Sequence, residues 1–233
     1  MINKSLLRSP AILLTLCAGI AASAAGALWL QHANQRQAQE ALQRATELAA
    51  DAVHKRMQLY QYGLRGARGV IVTSGPQGLS RALFHRYSQT RDIAREFPGA
   101  RGFGFIRRVP RSTEASFLNQ ARADGAPDFA IRQLAAHDGE RFVIQYIEPQ
   151  THNLPAVGLD IASEDNRRDA ALAALRSGEV RITGPITLVQ ATGSPLQSFL
   201  VADSTPFGHS AHADPDTCST IIRTGSRSAA TQG

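Results

Sequence analysis

The sequence predicts an α+β fold: a long N-terminal helix followed by a domain built on an antiparallel sheet. Three observations carry this. Residues 11–30 are apolar and uncharged, residues 31–62 contain neither Pro nor Gly, and the body beyond mixes helices with short strands without the regular alternation of a parallel α/β fold. At 233 residues, one globular domain with appendages is expected, at roughly 150 residues per domain. A content of 43% hydrophobic, 19% charged and 6% aromatic residues excludes collagen, low-complexity disorder and a polytopic transporter.

The net charge of +6 invites a nucleic-acid reading, which its distribution defeats. Residues 1–100 hold twelve Lys/Arg against five Asp/Glu, residues 101–201 hold eleven of each, and residues 202–233 hold two against three. The globular part is therefore neutral, and no nucleic-acid partner is expected.

Ala11 to Leu30 follows Lys4 and Arg8 and closes on Trp29. Twenty helical residues cross a hydrocarbon core of about 30 Å. The basic end favours a cytoplasmic N-terminus, and an indole suits the opposite interface. Ala22-Ser23-Ala24 offers the alternative of a cleaved signal peptide, against which the apolar run continues to Leu30. Lipid attachment at Cys17 is disfavoured by Leu16 before it, where a small residue is wanted. With Cys218 the only other cysteine, no disulfide framework organises the fold.

From Gln31 to Tyr62 helix formers dominate, and Ala38, Ala41, Leu42, Ala45, Leu48, Ala49, Ala52 and Val53 form one stripe at three-four spacing. This stalk either dimerises or packs on its own domain; alanine at most seam positions makes a weak coiled coil. After Gly63, Gly66 and Gly69, the run Val70 to Thr73 ends in the turn Ser74-Gly75-Pro76. Ser80 caps a helix that Pro98-Gly99 stops, and Gly102 to Pro110 reads as a strand. Ser112-Thr113-Glu114 opens a second helix, and Arg141 to Ile147 is a strand. Val157 to Ile161 is a short strand, and Ser163-Glu164 starts a third helix ended by Gly178. Residues 180–182, 186–189 and 199–201 complete the strands.

Few motifs carry chemistry. Gly102-x-Gly104 lacks the third glycine of a dinucleotide site and lies within a strand. His209, His212, Asp214, Asp216 and Cys218 have ligand chemistry within ten residues, but sit in a Ser/Thr/Pro-rich tail with no apolar period. No metal, cofactor or enzymatic activity is expected. Arg107, Arg108 and Arg111 at a strand end read as a solvated rim rather than an anion clamp. Asp160 stands out between apolar neighbours, where strand alternation sets it on the face of Gly158; such a carboxylate either meets solvent or serves a pocket.

Taken in order, Gly102 to Pro110, Val157 to Arg168 with its acidic turn, and Leu175 to Ile186 with Ser177-Gly178 and Thr183-Gly184-Pro185 resemble the CHASE domain. This is the extracytoplasmic sensor of bacterial histidine kinases and cyclases and of plant cytokinin receptors. The resemblance spans about residues 60 to 201. It implies a stalk helix followed by PAS-like antiparallel subdomains, the second expected to be incomplete, with ligand in the membrane-distal one. It also implies ligand-binding roles for Asp160 as acceptor toward a small planar N–H-bearing molecule, Ile182 as an apolar wall and Thr192 as a polar pocket residue.

The expected organisation is a cytoplasmic N-terminus (1–10), a single membrane span (11–30), a stalk (31–62), a sensor domain in the periplasm or extracellular space (63–201) and a divergent, disordered tail (202–233). The departure from the family after Val201 suggests a truncated gene product without its output domain, as from a frame shift near residue 201. The expected function is a membrane-anchored, non-enzymatic small-molecule sensor of the inner membrane, with homodimerisation through the stalk; the alternative is a binding or scaffold protein that partners another receptor through that helix.

Overall fold

The computed structural model describes residues 10–74, 78–189, 197–205 and 218–225, with Thr205 and residues 218–225 described by backbone alone. The chain divides into two compact units, 1–56 and 57–233. Helix α1 (Pro10–Thr73) provides all the described structure of the first. There Leu42, Leu48 and Val53 are 69%, 71% and 61% exposed, so the stalk stripe has no partner among the described residues of the unit.

α1 continues past Tyr62, the expected end of the stalk, to Thr73. Three glycines weaken a helix interior by propensity; burial of one face offsets that here. Tyr60, Gly63, Leu64, Ala67 and Ile71 are buried, and a Cβ at Gly66 would lie 2.9 Å from the Tyr87 hydroxyl, so a larger residue there would require the Tyr87 side chain to shift.

In the second unit Ser80 caps α2 (Arg81–Ser88), its hydroxyl accepting from the Leu83 amide at 3.2 Å. The expected single helix breaks at Gln89-Thr90 and resumes as the short α3 (Ile93–Glu96), capped by Asp92. β1 (Ala100–Val109), α4 (Glu114–Ala123), β2 (Arg141–Glu148) and α5 (Asp165–Ser177) follow at the predicted places. Gly178 ends α5 in the left-handed conformation. β3 (Arg181–Ile182), β4 (Ile186–Thr187), β5 (Gln197–Thr205) and β6 (Cys218–Gly225) complete the elements.

All these strands belong to one sheet of order β2-β1-β6-β5-β3, with β4 also on β5 and every pairing antiparallel. The α+β class holds. Within the stretch from residue 202 that was expected to be a disordered tail, the described residues lie in strands: β5 runs to Thr205, and β6 pairs with β1 on one side and β5 on the other. Two strands that would otherwise present unpaired backbone are thereby joined. The signal was the β-branched run Thr220-Ile221-Ile222, too short to register as a period within polar surroundings.

The sheet is buried on both faces. Phe103, Phe105, Tyr146 and Val201 pack with Leu64, Ile71, Phe84 and Phe97 from the helical elements on one side. On the other, Ile106, Phe142, Ile144, Ile147 and Leu200 pack with Ala171 and Ala174 of α5 and with Leu159 and Ile161. A register shift opposite Phe105/Ile106 leaves Gln145 unpaired and turns both Ile144 and Ile147 to the second face.

The expected strand over residues 157–161 is instead a turn and two isolated bridges. Gly158 takes φ +80°, and a Cβ there would overlap the Ala130 carbonyl oxygen. Gly158→Ala is therefore expected to cost about 2 kcal/mol or more in chemical denaturation; a neutral result would contradict this close approach.

Asp203, on β5, is buried beside Arg68 of α1 at 3.5 Å. Burial pushes its carboxyl above the ordinary 3.8, with Arg68 and Arg65 opposing but not cancelling the shift. The folded state therefore holds a proton over a pH window where the unfolded chain has released it, so this group's contribution to stability grows as pH falls through its folded value. The full chain should gain stability relative to Asp203→Asn as pH is lowered from neutral toward about 4, just above the ordinary carboxyl value; a relative loss would reverse the assignment.

Candidate functional site

β2 is the edge strand of the sheet, and residues 158–160 cover its open side. Gly158 N–H donates to the Ile144 carbonyl at 2.8 Å, and Ile144 N–H to the Leu159 carbonyl at 2.9 Å. Outside this segment Arg132 pairs in turn, donating to the Gly158 carbonyl and accepting from the Asp160 amide, both at 2.8 Å. After Asp160 the backbone turns away as a single 3-10 turn, Ile161–Ser163, and the next amide of β2 would be left without a partner.

The Asp160 carboxylate supplies that partner. Its Oδ1 accepts from the Phe142 amide at 2.9 Å and from the Ala162 amide at 3.1 Å, so one oxygen both completes the strand edge and caps the turn. Oδ2 accepts from Arg141 Nη1 at 3.2 Å and lies 2.7 Å from His137 Nε2. A carboxylate can only accept, so Nε2 carries the proton in this contact. With Asp160 fully buried, these donors stand in for its lost hydration.

The network extends outward. Arg141 Nε donates to Glu114 Oε2 at 3.0 Å, so the guanidinium lies between two carboxylates. Burial alone would lower its pKa, but the hydrogen bonds and charges of Glu114 and Asp160 outweigh that and raise it. Arg111 reaches the loop that carries His137, donating to the His137 carbonyl and, at 2.8 Å, to the Gly139 carbonyl. Arg108 pairs with Glu140 at 2.6 Å. Arg108 and Arg111 thus hold the chain's own loop.

Of the other candidate ligand-binding and metal-ligating residues of the sequence, only Ile182 has a described side chain. Ile182, on β3, is 50% exposed. β2 and β3 stand at opposite ends of the strand order, so Asp160 and Ile182 are not brought together by the sheet. Thr192 lies outside the described residues, as do His209, His212, Asp214 and Asp216, while Cys218 is described by backbone alone. Among the described residues no group of three or more His, Cys, Asp or Glu is placed to hold a metal ion.

A second polar cluster lies at the far end of β2. Asp124 accepts from the Tyr146 hydroxyl and, at 2.9 Å, from the Arg81 amide, while His85 Nδ1 lies 2.9 Å from the buried Glu148. Burial, then Asp124, pushes the Tyr146 phenol far up, so it remains a donor. An open cleft of about 450 Å³ beside this cluster is lined by Arg81, His85, Asp124 and Gln150.

The sequence singled out Asp160 but not its partners His137 and Arg141, nor Glu114 on the far side of Arg141. A charged residue opening the apolar run Phe142-Val143-Ile144 was the available sign for Arg141; nothing in the loop marked His137. Removing Asp160 strands Phe142 N–H and half-pairs Arg141, so Asp160→Ala should lower unfolding free energy by about 3–5 kcal/mol. Asp160→Asn, which keeps an acceptor, should cost less in the same denaturation experiment, and equal costs would argue against this accounting.

No curated protein matches the chain. The family model of the CHASE domain matches residues 77–207, more than half of the chain, from just before α2 through β5 and across the whole Asp160 network. The chain belongs to the CHASE domain family.

Proposed function

We propose that this chain is a non-enzymatic sensor, held in the inner membrane by residues 11–30 as a single span, with its CHASE domain in the periplasm or extracellular space, where it binds a small planar N–H-bearing molecule. CHASE domains are extracytoplasmic sensors of signalling receptors, and the match over residues 77–207 carries the reading. Support for the anchor comes from α1, which is long and apolar enough near its N-terminus to cross a membrane. Support for the ligand class comes from Asp160, a pure acceptor flanked by buried apolar residues.

The stalk makes the second part of the proposal. Its apolar stripe is exposed in the first unit, and a second copy of the chain is the occupant that the three-four spacing suits. Ligand binding would act by differential affinity for two arrangements of that helix pair. Partnership with a different receptor is the alternative reading of the same stripe.

Two experiments test this. In a thermal-shift screen of the full chain in detergent against purines and related planar heterocycles, a stabilising ligand should act on wild type and lose its effect on Asp160→Asn. Equal stabilisation of both would remove Asp160 from the site. With Cys17 and Cys218 both replaced by Ser, Ala45→Cys on the stripe should cross-link between copies in membranes, while Gln43→Cys on the opposite face should not. Equal cross-linking, or none, would contradict a stalk homodimer.

A further inference from the structure

The acceptor capacity of Asp160 is full, so a ligand can reach it only by replacing a donor the chain already supplies. Two of the four donors are backbone amides, Phe142 within β2 and Ala162 within the turn that Asp160 caps. Neither can leave without dismantling the strand edge. The third, Arg141, is rooted in β2 and held by Glu114 on its other nitrogen. The fourth is His137, whose side chain is 12% exposed and stands on a loop outside the helices and strands, between Arg132 and β2. Its single described side-chain bond is the one to Asp160.

The geometry points to His137 as an internal occupant of the ligand seat: its imidazole holds the position on Asp160 Oδ2 that an external N–H heterocycle would take, and binding requires the two to exchange. The inference rests on the ligand-binding reading of Asp160 and deepens it. It specifies the ligand's recognition edge, an N–H on a flat ring no thicker than an imidazole, because that group fills the seat at 2.7 Å. It also names what exchange leaves intact: the Phe142, Ala162 and Arg141 bonds still neutralise and hold the carboxylate while the loop swings out. Arg111, on the His137 and Gly139 carbonyls, is then the tether that returns the loop.

The test uses imidazole itself as probe, on the full chain in detergent at mildly alkaline pH, where imidazole is neutral and still carries an N–H. His137→Ala empties the seat. Because a hydrogen bond to a charged group is lost only where His137 competes, imidazole should bind His137→Ala about tenfold or more tighter than wild type, read as a rise in Tm with concentration. His137→Gln, whose amide can donate to Asp160, should behave as wild type. 1-Methylimidazole, which lacks the N–H, should not stabilise His137→Ala, and neither azole should stabilise the double variant with Asp160→Asn.

Equal responses of wild type and His137→Ala, or equal responses to both azoles, would overturn the proposal. A His137→Ala chain that stays unfolded in imidazole would do so as well, since His137 would then be a fixed strut. The outcome is separable from that of the broader reading. Imidazole rescue without adenine binding to any form would keep the seat and remove the purine-type ligand, whereas adenine binding to wild type without imidazole rescue would keep the ligand and overturn the exchange.

Discussion

A buried carboxylate needs a donor at each of its accepting positions, and the meeting of four donors on Asp160 is the constraint around which this domain closes. Through it the open edge of β2, the turn before α5, the loop carrying His137 and, by way of Arg141 and Glu114, the start of α4 are held to one point. An isolated charge at this depth would be untenable. The surrounding apolar residues, Phe142, Val143, Leu159 and Ile161, make the site dry, and the polar network makes the dryness tolerable. Neither half would persist without the other.

The rest of the fold delivers strands to that point. β6 lies between β1 and β5 and turns two partial sheets into one, which allows the packing on one face to support the packing on the other. α1 lies against one face through Tyr60, Leu64 and Ile71, and glycine at position 66 permits its close approach to Tyr87. On the opposite face α5 presents the alanines Ala171 and Ala174, so that the large side chains of the sheet have room. The sheet links β2 to α1: Val143 and Ile144 of β2 pair with Arg107 and Ile106 of β1, and β1 carries the Phe103 and Phe105 that lie in the same core as Leu64 and Ile71 of α1.

How much of this was legible in the sequence depended on the range of the interaction concerned. Ser80 and Gly178 act on their immediate neighbours, and the helix start and the helix end they mark fell where expected, whereas the helix expected to run unbroken from Ser80 to the Pro98-Gly99 stop breaks at Gln89-Thr90. The continuation of α1 through Gly63, Gly66 and Gly69 was hidden because the burial that offsets their weak propensity comes from residues far along the chain. β6 was hidden for the same reason: Ile221-Ile222 is a strand because β1 and β5 leave a slot for it. Asp160 was conspicuous as a charge among apolar residues, but its partners were not, for His137 and Arg141 are 23 and 19 positions away, and Glu114, which pairs with Arg141, is 46 positions away. Strand alternation also misled at Gly158, whose positive φ turns the segment out of register with a regular strand.

The state of one imidazole decides how Asp160 is held. Nitrogen-15 NMR of the full chain, with histidine labelled, reads the tautomer and hydrogen bonding of His137. The Nε2–H form, strongly hydrogen-bonded and slow to exchange with water, is predicted in wild type, and Asp160→Asn should weaken that bond and speed exchange. His137 signals that are solvent-like, or unchanged by Asp160→Asn, would contradict the claim that His137 occupies the carboxylate's fourth seat.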